Sequence, residues 1–481
     1  MSNTTQALSR IEAILDDSSF VEIGARVTAR ATDFNMQEKK APSDGVITGY
    51  GVVNGNLVYV YSQDASVLGG TIGEMHAKKI ASLYEKAMKM GAPVVGLIDC
   101  AGLRLQEATD ALNGFGEIYK NMSLASGIIP QITAVYGECG GGLAVLAELS
   151  DFVFVEEKKA KLFVNSPNAL DGNYESKLDT SSAKFMAEAG VVDFVGDEET
   201  IANGVRQLVS MLPSNNAEGT VCTDNQDDLN RVCQDMEAEI ADPALALTDI
   251  SDDGVFVETK AEYAKEMVTG FILVDGVTVG AVANRTALYD ENGEKAEEFA
   301  PVLTTAGAYK AAEFVTFCNA FEIPVLTLTN VKGFEATVKS ERTIAKAAAK
   351  LVYAFSNADV PKVNIITGEA YGSAYVAMNS KSIGADMVYA WPQASIGMMD
   401  ASLAAKIMYA DDIAASKDVT STINEKAAEY AALQSSVDQA AARGYVDTII
   451  NPEDTRKYVA AAFEMLFDKR EVRADKKHGT V

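Results

Sequence analysis

Laid over itself, the chain matches at one fixed offset. PVVGLIDCAG from Pro93 aligns with PVLTLTNVKG from Pro324, and 324 − 93 = 231. PQITAVYGECGGGLAV from Pro130 aligns with PKVNIITGEAYGSAYV from Pro361, and 361 − 130 = 231 again. Two separate matches at one spacing mean a duplicated domain, because unrelated similarities have no reason to share an offset. A weaker match, VVNGNLVYVYS from Val52 with ILVDGVTVGAV from Ile272, falls near 220, with loops absorbing the slip. The 481 residues are too many for one ordinary core and suit two domains. The polar, acidic stretch from Pro213 to Asp242 is the expected boundary, giving domains 1–225 and 226–481.

Each copy reads the same way. A hairpin comes first, turned at Asn54-Gly55 or Asp275-Gly276. In the first copy an amphipathic helix from His76 to Met90 follows. Then come two unbroken apolar strands, Val94 to Ile98 and Ile132 to Tyr136, or Val325 to Leu328 and Val363 to Ile366, separated by a helix. Unbroken apolar strands alternating with helices predict an α/β fold with parallel strands covered on both faces.

Composition excludes several classes of function. A formal charge of −27 opposes binding to nucleic acid and to anionic lipid. The most apolar stretch, Ile128 to Leu149, is too Gly-rich and too interrupted for a membrane span, and Met1 to Leu15 lacks the layout of a signal peptide. Five cysteines without a CxxC pair fit a reducing, cytoplasmic setting and no metal. With only His76 and His478 in the chain, a histidine-based metal site or a Ser-His-Asp triad has little to draw on.

The chemistry is therefore expected from the backbone. Gly137, Gly140, Gly141 and Gly142 in the first copy, and Gly368, Gly372, Ser373 and Ala374 in the second, lie where a strand turns into a helix. Small residues there leave outward-pointing amides that can hold a phosphate or an enolate oxygen. A second small-residue turn precedes each, Asp99-Cys100-Ala101-Gly102 and Asn330-Val331-Lys332-Gly333, so two turns of one copy could line one pocket.

Several long motifs carry a resemblance. SDGVITGYGVVNGNLVYVYSQDASVLGGTIGEMHAKKI, GFGEIYKNMSLASGIIPQI from Gly114, AKLVYAF from Ala349, AYGSAY from Ala370, YAWP from Tyr389 and the closing KKHG at Lys476 resemble the carboxyltransferase subunits of biotin-dependent acyl-CoA carboxylases and decarboxylases. The resemblance spans nearly the whole chain. It implies two tandem crotonase-like (ClpP/crotonase) domains, one per substrate. It places the acyl-CoA thioester oxygen on the amides of Gly141 and Gly142, and the biotin ureido oxygen on those of Ser373 and Ala374. Gly102 and Arg104 on the CoA side, with Gly372, Gly333, Phe334 and Val376 on the biotin side, are the implied binding residues; Arg104 is the candidate for a CoA phosphate. Transfer would pass through an amide-stabilised acyl enolate without a protein base. The implied partners are a separate biotin carrier protein, biotin carboxylase or membrane decarboxylase subunits, and further copies of the chain as a dimer or trimer of dimers.

Some residues depart from the pattern or imitate another. Ser373 replaces a glycine of the biotin turn, the Lys332-Gly333-Phe334 loop is altered, and Asp400 stands where a glycine is usual. Ala87-Met88-Lys89-Met90 matches a biotinylation tetrapeptide, but Lys89 ends a helix rather than capping an exposed hairpin, so biotin is expected on a partner. His76 and Cys139 are expected to be structural. Two alternatives stay open: a biotin-independent crotonase-like decarboxylase or hydratase with Glu138 as its carboxylate, and a scaffold subunit with a degenerate biotin pocket.

Overall fold

The computed structural model describes residues 5–30, 34–219, 222–290, 292–471 and 479. His478 and most of the closing KKHG motif lie outside them. The chain divides into two compact units, Met1–Gly219 with Lys260–Tyr263, and Thr220–Thr259 with Ala264–Val481. The cut falls inside the acidic stretch, but a single cut does not describe it. Lys260 donates its N–H to Asp193 O at 3.2 Å, and the Tyr263 ring packs on Gly190, so 260–263 complete the first unit.

The first unit is built on one mixed sheet. Its strands are β1 (Val21–Ile23), β2 (Val46–Val53), β3 (Asn56–Gln63), β4 (Val94–Cys100), β5 (Gln131–Gly140), β6 (Phe152–Glu156), β7 (Lys161–Phe163) and β8 (Phe194–Gly196). They run in the order β1-β2-β3-β4-β5-β6-β8, with β7 beside the far end of β5. β1 to β3 are antiparallel and the β3-β4-β5-β6-β8 ladder is parallel. Val94, Val95, Leu97, Ile98, Ile132, Ala134 and Val135 are buried, as strands covered on both faces must be. The Glu74–Met90 helix packs Ile80, Leu83, Tyr84 and Ala87 into that core.

The second unit repeats this order with β9 (Phe256–Thr259), β10 (Met267–Val274), β11 (Val277–Asn284), a small hairpin of β12 (Ala287–Tyr289) and β13 (Lys295–Glu298), then β14 (Val325–Val331), β15 (Lys362–Tyr371), β16 (Met387–Ala390), β17 (Ser395–Gly397) and β18 (Thr448–Ile449). The sheet reads β9-β10-β11-β14-β15-β16-β18, with β17 beside β15. β4 and β14 start 231 residues apart (325 − 94), and so do β5 and β15 (362 − 131). β3 and β11 start 221 apart (277 − 56), and the β12–β13 hairpin stands in between. That insertion is the physical cause of the slip seen in the sequence.

The two hairpin turns differ in surroundings. Asn54 and Gly55 have φ of 49° and 84°, and Asp275 and Gly276 have 53° and 71°, the left-handed pair that a two-residue turn needs. A Cβ on Gly55 meets nothing within 4 Å, whereas one on Gly276 would sit 1.9 Å from Thr223 O. Gly55→Ala is expected to cost about 1–2 kcal/mol, the strain of the left-handed conformation alone. Gly276→Ala should cost at least twice as much; equal shifts in chemical denaturation would refute the asymmetry.

Candidate active site

Parallel pairing of β4 with β5 brings the two small-residue turns of the first unit together. The register bulges after Ile98 and sets Cys100 opposite Cys139, so the loop to Gly102 lies beside the turn at Gly141. In the second unit Val331 stands opposite Ala370 after the same irregularity. The loops are also tied alike: Ile72 N–H donates to Gly102 O and Arg104 N–H to Ile72 O, while Leu303 N–H donates to Gly333 O and Glu335 N–H to Leu303 O, all at 2.9–3.0 Å. Close approach explains the glycines. A Cβ on Gly137 would lie 2.1 Å from Asp99 Oδ1, and one on Gly368 would lie 2.7 Å from Asn330 Oδ1.

The turns end in short helices, Gly142–Glu148 and Gly372–Ala377. With seven and six residues these carry little macrodipole, so what each turn offers is its free amides. One expectation is corrected here. The Gly141 N–H donates to Phe163 O at 2.8 Å and is already engaged. Gly141 instead supplies the turn, at φ 64°. The N–H groups of Gly142 and Leu143 donate to nothing among the described residues, nor do those of Ser373 and Ala374. The free pairs are thus equivalent, since 373 − 142 and 374 − 143 both equal 231. Leu143 was missed because a leucine does not advertise a backbone role, although strict use of the offset would have found it. Gly142 and Ser373 are exposed and Gly372 is half-buried. Phe334 and Val376 are half-buried near the second turn, Phe334 pairing with Leu303 as an isolated bridge. Gly333 N–H is also free, whereas Gly102 N–H contacts only Cys100 Sγ, at 3.3 Å.

Arg104 is the second correction. Its side chain is 1% exposed and cannot reach a phosphate. Nη1 pairs with Asp44 and, at 2.8 Å, with Glu107, and Nη2 donates to Thr71 O at 2.7 Å. Asp44 also accepts from the His76 N–H at 2.8 Å. The His76 Nδ1 faces Asp44 O at 2.9 Å and so carries the proton, leaving Nε2 to accept from Gln63 Nε2 at 3.2 Å. Gln63 Oε1 in turn accepts the Asp99 N–H, and Asp99 pairs with Arg10 at 2.9 Å. This buried network clamps the loop that carries Gly102. His76 is structural, with no nitrogen to spare for catalysis. Burial pushes the Cys139 thiol far above its ordinary range and the Cys100 thiol up to about 12, so neither supplies a thiolate.

Smaller expectations also have local outcomes. Lys89 lies in the last turn of the Glu74–Met90 helix, which closes on Gly91 before β4 begins. Glu138 is exposed on β5. Asp400 caps the Ala401–Met408 helix, accepting the Leu403 N–H at 3.0 Å, a sufficient reason for its presence. Among the described residues no group of His, Cys, Asp and Glu is placed to hold a metal ion, and no helix is long and apolar enough to cross a membrane.

Comparisons with known proteins cover nearly the whole chain. The family described as Carboxyl transferase domain matches residues 2–481. The methylmalonyl-CoA decarboxylase alpha subunit of Propionigenium modestum is 39% identical over 99% of this chain and 92% of its own length. The propionyl-CoA carboxylase beta chain of Roseobacter denitrificans is 38% identical over 99% of this chain and 93% of its own. A crystal structure of transcarboxylase 12S, described as a hexamer assembly with hydrolysed methylmalonyl-coenzyme A bound, superposes with a TM-score of 0.90 at 35% identity, covering 98% of this chain and 92% of that one.

Two outcomes test the network. Arg104→Met leaves Asp44 and Glu107 buried without their cation, which should cost about 3–5 kcal/mol in chemical denaturation while the folded fraction keeps its affinity for CoA esters. Weaker CoA binding at unchanged stability would restore the phosphate role. Burial, aided by the Arg104 charge, lowers the His76 pKa from 6.5 to about 3. Between those values the unfolded chain holds the extra proton, so this contribution is complete above pH 6.5 and is lost as the pH falls. His76→Gln should therefore flatten the loss of stability on acidification below pH 6.5, by up to about 1.4 kcal/mol per pH unit.

Proposed function

The chain belongs to the carboxyl transferase domain family, and from that premise we propose that it is the carboxyltransferase subunit of a biotin-dependent acyl-CoA carboxylase or decarboxylase. The reading rests on one observation above the others: two pairs of free amides, Gly142 with Leu143 and Ser373 with Ala374, at one offset in two copies of one fold. The relatives act on propionyl-CoA and methylmalonyl-CoA by name, so a short acyl-CoA is the proposed substrate. The named 12S neighbour is a hexamer, which favours a homo-oligomer.

In this reading the Gly142 and Leu143 amides hold the thioester oxygen. Their bonds strengthen as that oxygen takes up enolate charge, which lowers the barrier to forming or consuming the α-carbanion. The Arg104 network keeps the neighbouring loop from relaxing away. In the second unit the Ser373 and Ala374 N–H groups donate to a carbonyl oxygen, and the exposed position of Ser373 leaves room for a ureido ring. Bound biotin, carried by a partner protein, supplies the nitrogen that bears the carboxyl group. No side chain beside the turns is needed as a base, since His76 and both nearby thiols are committed or protonated.

Carboxyl transfer between free biotin and a panel of malonyl-, methylmalonyl- and glutaconyl-CoA tests the reading. Ser373→Pro removes one amide from an exposed first-turn position that tolerates proline. It should lower turnover about 10²–10³-fold, while Glu138→Gln leaves it within twofold. Turnover indifferent to Ser373→Pro, or abolished by Glu138→Gln, would replace the transferase reading with the biotin-independent one.

A further inference from the structure

The duplication lets each surface be compared with its own copy. From Lys332 to Lys350 the second unit carries Lys332, Lys339, Arg342, Lys346 and Lys350 against Glu335 and Glu341. At 231 the loop residue Lys332 stands on Ala101. The helix that follows aligns by its buried face at 233 (344 − 111), with Ile344, Ala347, Leu351 and Phe355 on Ala111, Gly114, Ile118 and Met122. That sets Lys346 on Asn113 and Lys350 on Glu117, none of them basic. In the first unit Phe115 and Tyr119 form an aromatic wall, ring centroids 5.1 Å apart, from which the Tyr119 hydroxyl donates to Gly142 O at 2.6 Å. On the burial alignment Ala348 and Val352 stand at these two places in the second copy, and the cations lie on the outer side of the helix.

These cations do nothing evident for their own fold. Lys332, Lys339, Arg342 and Lys346 are exposed and make no ion pair among the described residues. Lys350 lies over the Tyr309 ring at 5.6 Å. Some other cations of the same unit are engaged, Arg231 with Asp227 and Asp249, Lys381 with Asp447 and Lys469 with Asp386. Those without an ion pair among the described residues, such as Lys406 and Lys417, do not form a cluster of five within one short stretch. In a chain of net charge −27 there is no shortage of carboxylates to pair with, so a cluster kept free of them answers to something outside the unit.

The cluster borders the second turn. Val331, next to Lys332, is registered against Ala370, two residues before Gly372. The Ile344–Asn357 helix turns Ile344, Ala347, Leu351, Ala354 and Phe355 inward, which leaves Ala345, Lys346 and Ala349 outside. Val338, 80% exposed, and exposed Ala336 lie among the charges. Apolar side chains ringed by cations suit a protein surface, which desolvates the former and pairs with the latter, better than a small phosphate.

We propose that the Lys332–Lys350 face docks an acidic face of the protein that carries biotin, and so aims the tethered ring at the Ser373–Ala374 turn. The inference rests on the reading of that turn as the biotin side. On a surface that otherwise repels acidic partners, a local basic patch steers encounter to the one place where transfer can occur. The test is the full-length triple variant Lys339→Glu/Arg342→Glu/Lys346→Glu, assayed with free biotin and with carrier-borne biotin. The free-biotin rate should stay within twofold of wild type, while the KM for the carrier rises at least tenfold and loses its dependence on salt between about 50 and 300 mM. An unchanged carrier KM would overturn the proposal. So would an equal loss with free biotin, or a change in oligomeric size, which would assign the face to the small substrate or to another copy of this chain. Wild-type protein inert with both sources of biotin would overturn the reading of the turn, and this inference with it.

Discussion

The pairing of β4 with β5, and of β14 with β15, is the constraint on which the rest depends. A parallel pair normally ends flush, but here the register breaks after Ile98 and after Thr329, and the longer strand runs on past its partner. The overhang holds the turn that exposes the amides, and the shorter strand releases the loop that faces it. Asp99 and Asn330 sit at the break. Each presses a side-chain oxygen on a glycine of the neighbouring strand, and Asn330 also accepts the Glu369 N–H at 3.0 Å. The free amides are a product of this offset more than of any helix.

Much of this was legible in the sequence, for identifiable reasons. Hairpin dipeptides, unbroken apolar strands and glycine-rich turns leave local signatures, and duplication let each be checked against a copy. What was hidden depends on partners distant in the chain. The amide of Gly141 is spent on Phe163, and Arg104 is spent on Asp44; neither pairing has a local pattern. Leu143 offers only its backbone, which side-chain identity does not report.

The two units share a fold and differ in how they secure it. The first locks its loop with a buried ion network centred on Arg104, whose counterpart in the second is Glu335, half-buried at the surface. The second keeps the backbone ladder of that loop and dispenses with the ions. Ionic clamping costs desolvation and is repaid only where the charges are paired, as Arg104 is by Asp44 and Glu107. A loop held by backbone alone can accept other side chains, which is where the basic residues of the second copy have accumulated.

The short segment Lys260–Tyr263 has a consequence for the history of the chain. A tandem duplication begins as two interchangeable modules, each able in principle to be lost, swapped or expressed alone. Once the first module closes its Gly190 corner with a tyrosine encoded in the second, that freedom is gone. A gene split at its apparent midpoint would yield one piece missing part of its own surface, so the borrowed segment acts as a ratchet against separation.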